Sequence, residues 1–148
     1  MKHALILLSS LVLAACGDTQ QAAYLITDGQ HSLTLTRQQA FVGSDWDSEL
    51  VVARFPDCQR RYPLKELVGD RVKIDLYRPE PGVFILNSGK RWYVTETRTC
   101  RFEQFKEIPP APGDLIGVFQ TKDAVLEYKS QEVPAAAVPP APTSAPKQ

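Results

Sequence analysis

The side chains of this sequence that could do chemistry are few, and their spacing limits what the chemistry can be. Beyond the first fifteen residues the one histidine is His31. A Ser-His-Asp or Cys-His nucleophilic arrangement would have to use it. It lies in an alternating segment beside an Asp-Gly turn with no nucleophile motif next to it, so it reads as a solvated strand histidine, and a small hydrolase built on it is a remote function class. Asp45, Asp47 and Glu49 stand two residues apart, a spacing that turns three carboxylates to one side of an extended segment, as a calcium ion would need. The stretch has neither the glycine at loop position six nor the distal glutamate of an EF-hand, and it reads as a solvated loop. No two carboxylates are singled out as a glycosidase pair. Two clusters remain, Arg60-Arg61-Tyr62 and Lys90-Arg91-Trp92-Tyr93. Arginine offers a bidentate fork to carboxylates or phosphates, and Trp and Tyr offer large contact area.

The N-terminus says more about place than about activity. Lys2 supplies a basic start, Ala4 to Leu13 form an apolar run, and the small residues Ala14 and Ala15 come next, the three parts of a secretion signal. The run falls well short of the ~20 apolar residues that cross a ~30 Å hydrocarbon core. Leu13-Ala14-Ala15-Cys16 resembles the lipobox of bacterial lipoproteins, a resemblance that covers residues 1 to 17. It implies that residues 1–15 are a cleaved signal peptide and that the Cys16 thiol takes up a diacylglyceryl group and becomes the acylated first residue. The protein would then be attached to a membrane through lipid on Cys16. Each buried methylene adds ~0.8 kcal/mol, so several chains hold far more firmly than one. The resemblance also implies a sorting rule in which Asp directly after the lipidated cysteine favours the inner membrane. Gly17 stands there, with Asp18 one further, which favours the outer membrane, with the inner membrane as the alternative and the protein facing the periplasm.

Removing residues 1–15 takes Lys2 from a chain with 17 basic and 17 acidic residues, leaving 16 against 17 and a net charge near −1. A nucleic-acid reader would show a clear basic excess, so that partner class is set aside. If Cys16 carries lipid, two of the three cysteines remain, and in an oxidising periplasm they imply a Cys58–Cys100 disulfide. Such a bridge closes a loop of about 43 residues, for which the chain-entropy model gives ~4 kcal/mol. A zinc site would need more ligands than His31. The sequence thus implies no metal, cofactor or catalytic residue.

The same bridge would draw Arg60, Arg61 and Tyr62 towards Arg91, Trp92 and Tyr93. One polar-aromatic binding patch is the functional expectation for these six. The plainer reading has the arginines as edge-strand charges that discourage aggregation, with Trp92 in the core.

The elements that must position these residues are strands. Leu33 and Leu35 alternate with Ser32, Thr34 and Thr36, and Val72, Ile74 and Leu76 with Arg71, Lys73, Asp75 and Tyr77, which puts apolar side chains on one sheet face. Asp28-Gly29 between two such segments predicts a two-residue hairpin turn whose glycine tolerates positive φ. Pro79-Glu80-Pro81-Gly82 and Asn87-Ser88-Gly89 bracket the unbroken apolar run Val83 to Leu86, a strand covered on both faces. Further strands are predicted at 49–55, 91–99, 115–120 and 124–129. Leu64, Leu67 and Val68, between Pro63 and Gly69, predict one short helical turn. The fold class is all-β, a small antiparallel sandwich or partly open barrel of about eight strands.

The predicted organisation is a lipidated tether over 16–22, a single β domain over 23–130, and a disordered Pro/Ala-rich tail over 131–148, where five Pro and five Ala stand among eighteen residues and too little apolar surface is present to fold. Fully extended, that tail would reach ~55 Å at ~3.1 Å per residue. Anchor, short tether, compact domain and extended tail without an active site predict a non-catalytic interaction or assembly module with an envelope protein partner. The alternative is a β-barrel carrier of a small apolar or lipid ligand, which requires an apolar chamber of several hundred Å³.

Overall fold

The computed structural model describes residues 17–131. The predicted signal peptide, Cys16 and all of the predicted tail beyond Gln131 lie outside the described residues. Ten strands make up the fold: β1 (Asp18–Leu25), β2 (His31–Gln39), β3 (Trp46–Arg54), β4 (Cys58–Pro63), β5 (Lys73–Glu80), β6 (Val83–Ser88), β7 (Arg91–Glu96), β8 (Arg101–Gln104), β9 (Asp114–Lys122) and β10 (Val125–Ser130). They form two antiparallel sheets, ordered β1-β2-β3-β4 and β10-β9-β5-β6-β7-β8, packed face to face as a sandwich. The sheets do not close into a barrel.

Period-two alternation decides which side chains lie between the sheets. Leu33 and Leu35 of β2 and Leu50 and Val52 of β3 face Ile74 and Leu76 of β5, Phe84 and Leu86 of β6, Tyr93 of β7 and Phe119 of β9. All but Tyr93 are essentially inaccessible to solvent, and each such aliphatic or aromatic side chain contributes about 1.5–3 kcal/mol of transfer free energy. These side chains fill the interior, and the depressions on the molecule open at its surface. The chamber that a ligand carrier requires is not found among the described residues.

Three expectations change. The stretch 16–22, predicted as a tether, contains the first half of β1, which starts at Asp18 and pairs with β2 from Asp18↔Gln39 onward. The Asp28-Gly29 signal does mark the β1–β2 hairpin, but the connection is longer than two residues. Ile26 N–H closes it on the His31 carbonyl at 2.8 Å, and the Asp28 carboxylate accepts the Gln30 N–H at 2.9 Å, an aspartate-built turn that needs no positive φ at Gly29. The predicted helical turn is a single hydrogen-bonded turn, Leu67 N–H to Leu64 O at 3.0 Å, inside the crossover from β4 to β5. Leu64 and Leu67 share their spacing because both pack on the core, while Val68 turns out to solvent.

The sandwich has two distinct ends. At one lie Gly17, the β2–β3 turn, the 64–72 crossover and the Asp123-Ala124 turn. At the other lie the β1–β2 connection, the 97–100 turn and the Cys58–Cys100 disulfide, whose Cα atoms are 6.0 Å apart. The bridge ties the edge strand of the smaller sheet to the turn between β7 and β8 of the larger. On the β1–β10 side the sheets are joined by the Tyr24 ring, 5.3 Å from that of Tyr128, and by Gln20. Gln20 donates from Nε2 to the Ala124 carbonyl at 2.9 Å and accepts the Leu126 N–H at 3.1 Å.

Candidate functional site

A depression of about 640 Å³ lies on the outer face of the four-stranded sheet towards the Gly17 end. Its floor is built by register. Thr36 pairs with Glu49 and Glu49 with Pro63, while Arg61 pairs with Val51, so Asp47 and Glu49 of β3 and Arg61 of β4 emerge on one face with Lys65 at the rim. The Arg61 guanidinium donates to Glu49 Oε1 at 2.6 Å, with both side chains open to water. The depression therefore displays paired opposite charges over a polar floor. No three His, Cys, Asp or Glu side chains converge as a metal site among the described residues, and Asp45 lies in the turn before β3 rather than beside Asp47 and Glu49 on the strand.

The six residues expected to share one patch are spread over three surfaces. Arg61 is in the depression. Tyr62, one residue on, points between the sheets, donates to the Cys100 carbonyl and stacks on Phe102 with ring centroids 4.9 Å apart. Tyr93 stacks on the same Phe102 at 5.2 Å, so three rings close the gap between edge strands β4 and β8. The Tyr93 hydroxyl is buried there without a hydrogen-bond partner among the described residues. Arg60 is exposed on β4, and Arg91 pairs with Glu66 of the crossover at 3.5 Å. Trp92 is neither in the core nor beside Tyr62. It is half-buried on the outer face of the larger sheet, with its ring 5.8 Å from Tyr77, and burial raises the Tyr77 hydroxyl pKa, with the Asp75 charge adding to it. Alternation along β4 and β7 turns sequence neighbours to opposite faces, and that disperses the set.

Comparison of the chain with protein-family models, with curated proteins and with solved structures gives no match. Its chemistry is read from its own residues.

His31 is not a solvated strand histidine. It lies on the inner side of β2 at the disulfide end, where Nε2 bonds the Thr97 hydroxyl at 3.0 Å and Nδ1 approaches the Thr27 hydroxyl at 3.4 Å. Thr97 is fully buried and in turn donates to the Gly82 carbonyl. Burial lowers the imidazole pKa and the Arg54 charge lowers it further, against a smaller opposing effect of Asp28. This histidine joins the two sheets, and the hydrogen-bond partners of its ring among the described residues are two threonines.

Arg37 and Trp46, which sequence reasoning did not single out, close the other end. Arg37 is wholly buried. It donates to the carbonyls of Gly69 and Asp70 and, at 3.4 Å, to Ser48 Oγ. Ser48 Oγ donates to the Leu67 carbonyl at 2.7 Å, and Trp46 Nε1 donates to Asp70 Oδ1 at 3.0 Å. One buried cation thus ties β2 to the Gly69 and Asp70 carbonyls of the crossover. The signal was present in Leu33-Thr-Leu-Thr-Arg37, where an arginine continues the inward-facing register.

Proposed function

We propose that the protein is a lipid-anchored bacterial envelope lipoprotein, held at the outer membrane through Cys16 and facing the periplasm, where its β sandwich acts as a non-catalytic interaction or assembly module. One observation carries the reading. Behind the lipobox cysteine a single residue, Gly17, precedes β1, so the acylated residue and the folded domain are joined with no free linker. The Cys58–Cys100 bridge suits the oxidising periplasm. The docking surface is the charged depression on the smaller sheet. Its Arg61 and Lys65 and its Asp47 and Glu49 match a protein partner that presents both signs of charge, and exposed charges of this kind steer association more than they fix affinity.

The test is made in the native host. Labelled fatty acid is incorporated into the full-length protein and not into Cys16→Ala, and only the former fractionates with the outer membrane. In vivo crosslinking from the full-length protein captures a specific envelope protein, and Arg61→Glu with Lys65→Glu weakens that capture while leaving the fold intact. Equal membrane retention of Cys16→Ala refutes the anchor, and unchanged capture by the charge-reversed variant refutes the docking surface.

A further inference from the structure

The end of the sandwich that carries Gly17 exposes large apolar side chains. A Cβ at Gly17 would lie 2.7 Å from the Ala40 carbonyl oxygen and nearer still to that of Gln39. Gly17 is therefore seated against the end of β2, and Cys16 is one peptide unit away, ~3.8 Å between Cα atoms. The turn after Ala40 has an unusual surface. Phe41 is 56% exposed and Val42 is 82% exposed, in a tight turn of the kind that Gly, Asn, Asp and Ser dominate.

The turn is rigid. Ser44 N–H donates to the Phe41 carbonyl at 3.0 Å, Phe41 N–H donates to Ser44 Oγ at 3.3 Å, and the Gln39 amide donates to the Ser44 carbonyl at 2.6 Å. Gly43 takes φ +89°, the left-handed conformation required at the third position of a type II turn, which leaves Val42 at the apex. Val68, of the crossover, and Val125, beside the Asp123-Ala124 turn, lie at the same end and are also exposed. Of the seven large apolar side chains exposed on the described residues, four are thus at this end, and Val42 is the most exposed of all seven.

We infer that the Phe41-Val42 turn inserts into the interface of the bilayer that holds the lipid on Cys16, as a second, side-chain anchor. The inference rests on the reading that Cys16 is acylated. With the acyl chains in the hydrocarbon and Gly17 one residue behind them, the turn beyond Ala40 reaches the headgroup–acyl boundary, where apolar side chains are buried by ~5–10 Å. Two attachments, one lipid and one side chain, fix the tilt of the sandwich. With Gly17 and the turn at the bilayer, the disulfide end points away from it and the outer face of the smaller sheet stands to the side, free for a partner.

The full-length acylated protein is reconstituted into vesicles of phosphatidylethanolamine and phosphatidylglycerol. With Cys16 acylated and Cys58 and Cys100 bridged, Val42→Cys introduces a single free thiol for an environment-sensitive nitrobenzoxadiazole probe, and Phe55→Cys places the same probe on an exposed loop at the opposite end. The expected result is blue-shifted emission at position 42 that nitroxide-labelled lipid about halves, as for a group ~5–10 Å into the interface, and water-like, unquenched emission at position 55. Adding Phe41→Ser to Val42→Cys reduces the blue shift. Water-like emission at position 42, in protein that floats with the vesicles and shows the acylated mass, overturns the inference and leaves the lipid anchor standing. Protein that carries no acyl mass and does not float overturns both.

Discussion

The guanidinium carbon of Arg37 lies 4.4 Å from the centroid of the Trp46 ring, on an inner surface where neither side chain is open to solvent. The pairing is cation–π in geometry, and it sits at the Gly17 end of the sandwich, just past the aliphatic core. Burial lowers the Arg37 pKa and the Asp70 carboxylate partly restores it, while the group stays a cation at any physiological pH. A buried charge needs full pairing, and here carbonyls, a hydroxyl and an aromatic face share that task.

Arg37→Ala is therefore expected to destabilise the domain by about 3 kcal/mol, because it leaves a cavity at a wholly buried position and removes the hydrogen bonds that tie β2 to the crossover. Urea denaturation followed by Trp fluorescence measures it. Arg37→Lys restores the charge without the planar fork and recovers only part of the loss. A change within about 0.5 kcal/mol for Arg37→Ala, the range of ordinary surface substitutions, contradicts this account.

Stability is expected to fall as pH drops below about 6.5, the ordinary histidine value. His31 titrates lower in the folded protein than in the unfolded chain. Between those two pKa values the unfolded chain binds more protons, so its contribution is complete above the unfolded value and is lost as pH falls through the folded one. In His31→Gln this part of the pH profile flattens. Glu96 acts lower on the scale. Burial raises its pKa, but hydrogen bonds from the Thr99 hydroxyl and from the Arg98 and Thr99 N–H groups, with the Arg98 charge, bring it below its ordinary value, so its contribution is lost only in more acidic solution.

Reduction of Cys58–Cys100, or the pair Cys58→Ala and Cys100→Ala, is expected to lower stability by ~4 kcal/mol on the chain-entropy model. Thermal unfolding with and without a reductant that leaves Trp and Tyr signals unaffected checks this. The loss falls on the disulfide end, where hydrogen exchange at 97–100 accelerates more than at β2 and β5.

The β9–β10 turn carries Asp123 at φ +50° and Ala124 at φ +63°. Both central residues are left-handed, as a type I′ hairpin turn demands, and alanine is poorly suited to the role. Ala124→Gly relieves ~1–2 kcal/mol of local strain and loosens the unfolded chain by ~0.4–1 kcal/mol. A net stabilisation of about 0.5 kcal/mol is expected, read as a raised denaturation midpoint at unchanged slope.

How much of this was legible depended on how each strand meets the core. β2 and β5 announce themselves, since Leu33, Leu35, Ile74 and Leu76 alternate with polar residues. β4 does not. Its core-side register holds Cys58, the exposed Arg60 and Tyr62, and a disulfide, an aromatic stack and the Tyr62 hydroxyl on the Cys100 carbonyl hold it to the other sheet, none of which leaves a hydropathy pattern. β8 is four residues long with Phe102 as its one core contact. The start of β1 was hidden for a similar reason: Asp18-Thr-Gln-Gln is polar because this edge faces water on one side and Gln20 uses its amide to clasp the β9–β10 hairpin. At the candidate surface, Asp47, Glu49 and Arg61 stood out individually, but only the β3–β4 register shows that they share a face. Arg60 to Tyr62 and Arg91 to Tyr93 looked like one patch because proximity in sequence says nothing about which side of a pleat each residue takes.

The strand order of the larger sheet has a consequence for how the chain completes itself. β5 has β6 on one side and β9 on the other, and β9 begins 34 positions after β5 ends, as the ranges Lys73–Glu80 and Asp114–Lys122 give. Until residues 114–122 are available to pair, β5 presents a full row of unpaired backbone groups beside an apolar face, an arrangement prone to sticking to another copy. A chain ending before Asp114 would be caught in that state. Chaperone demand and proteolysis should therefore rise abruptly for truncations within β9, and stay low for those that remove only residues beyond 131.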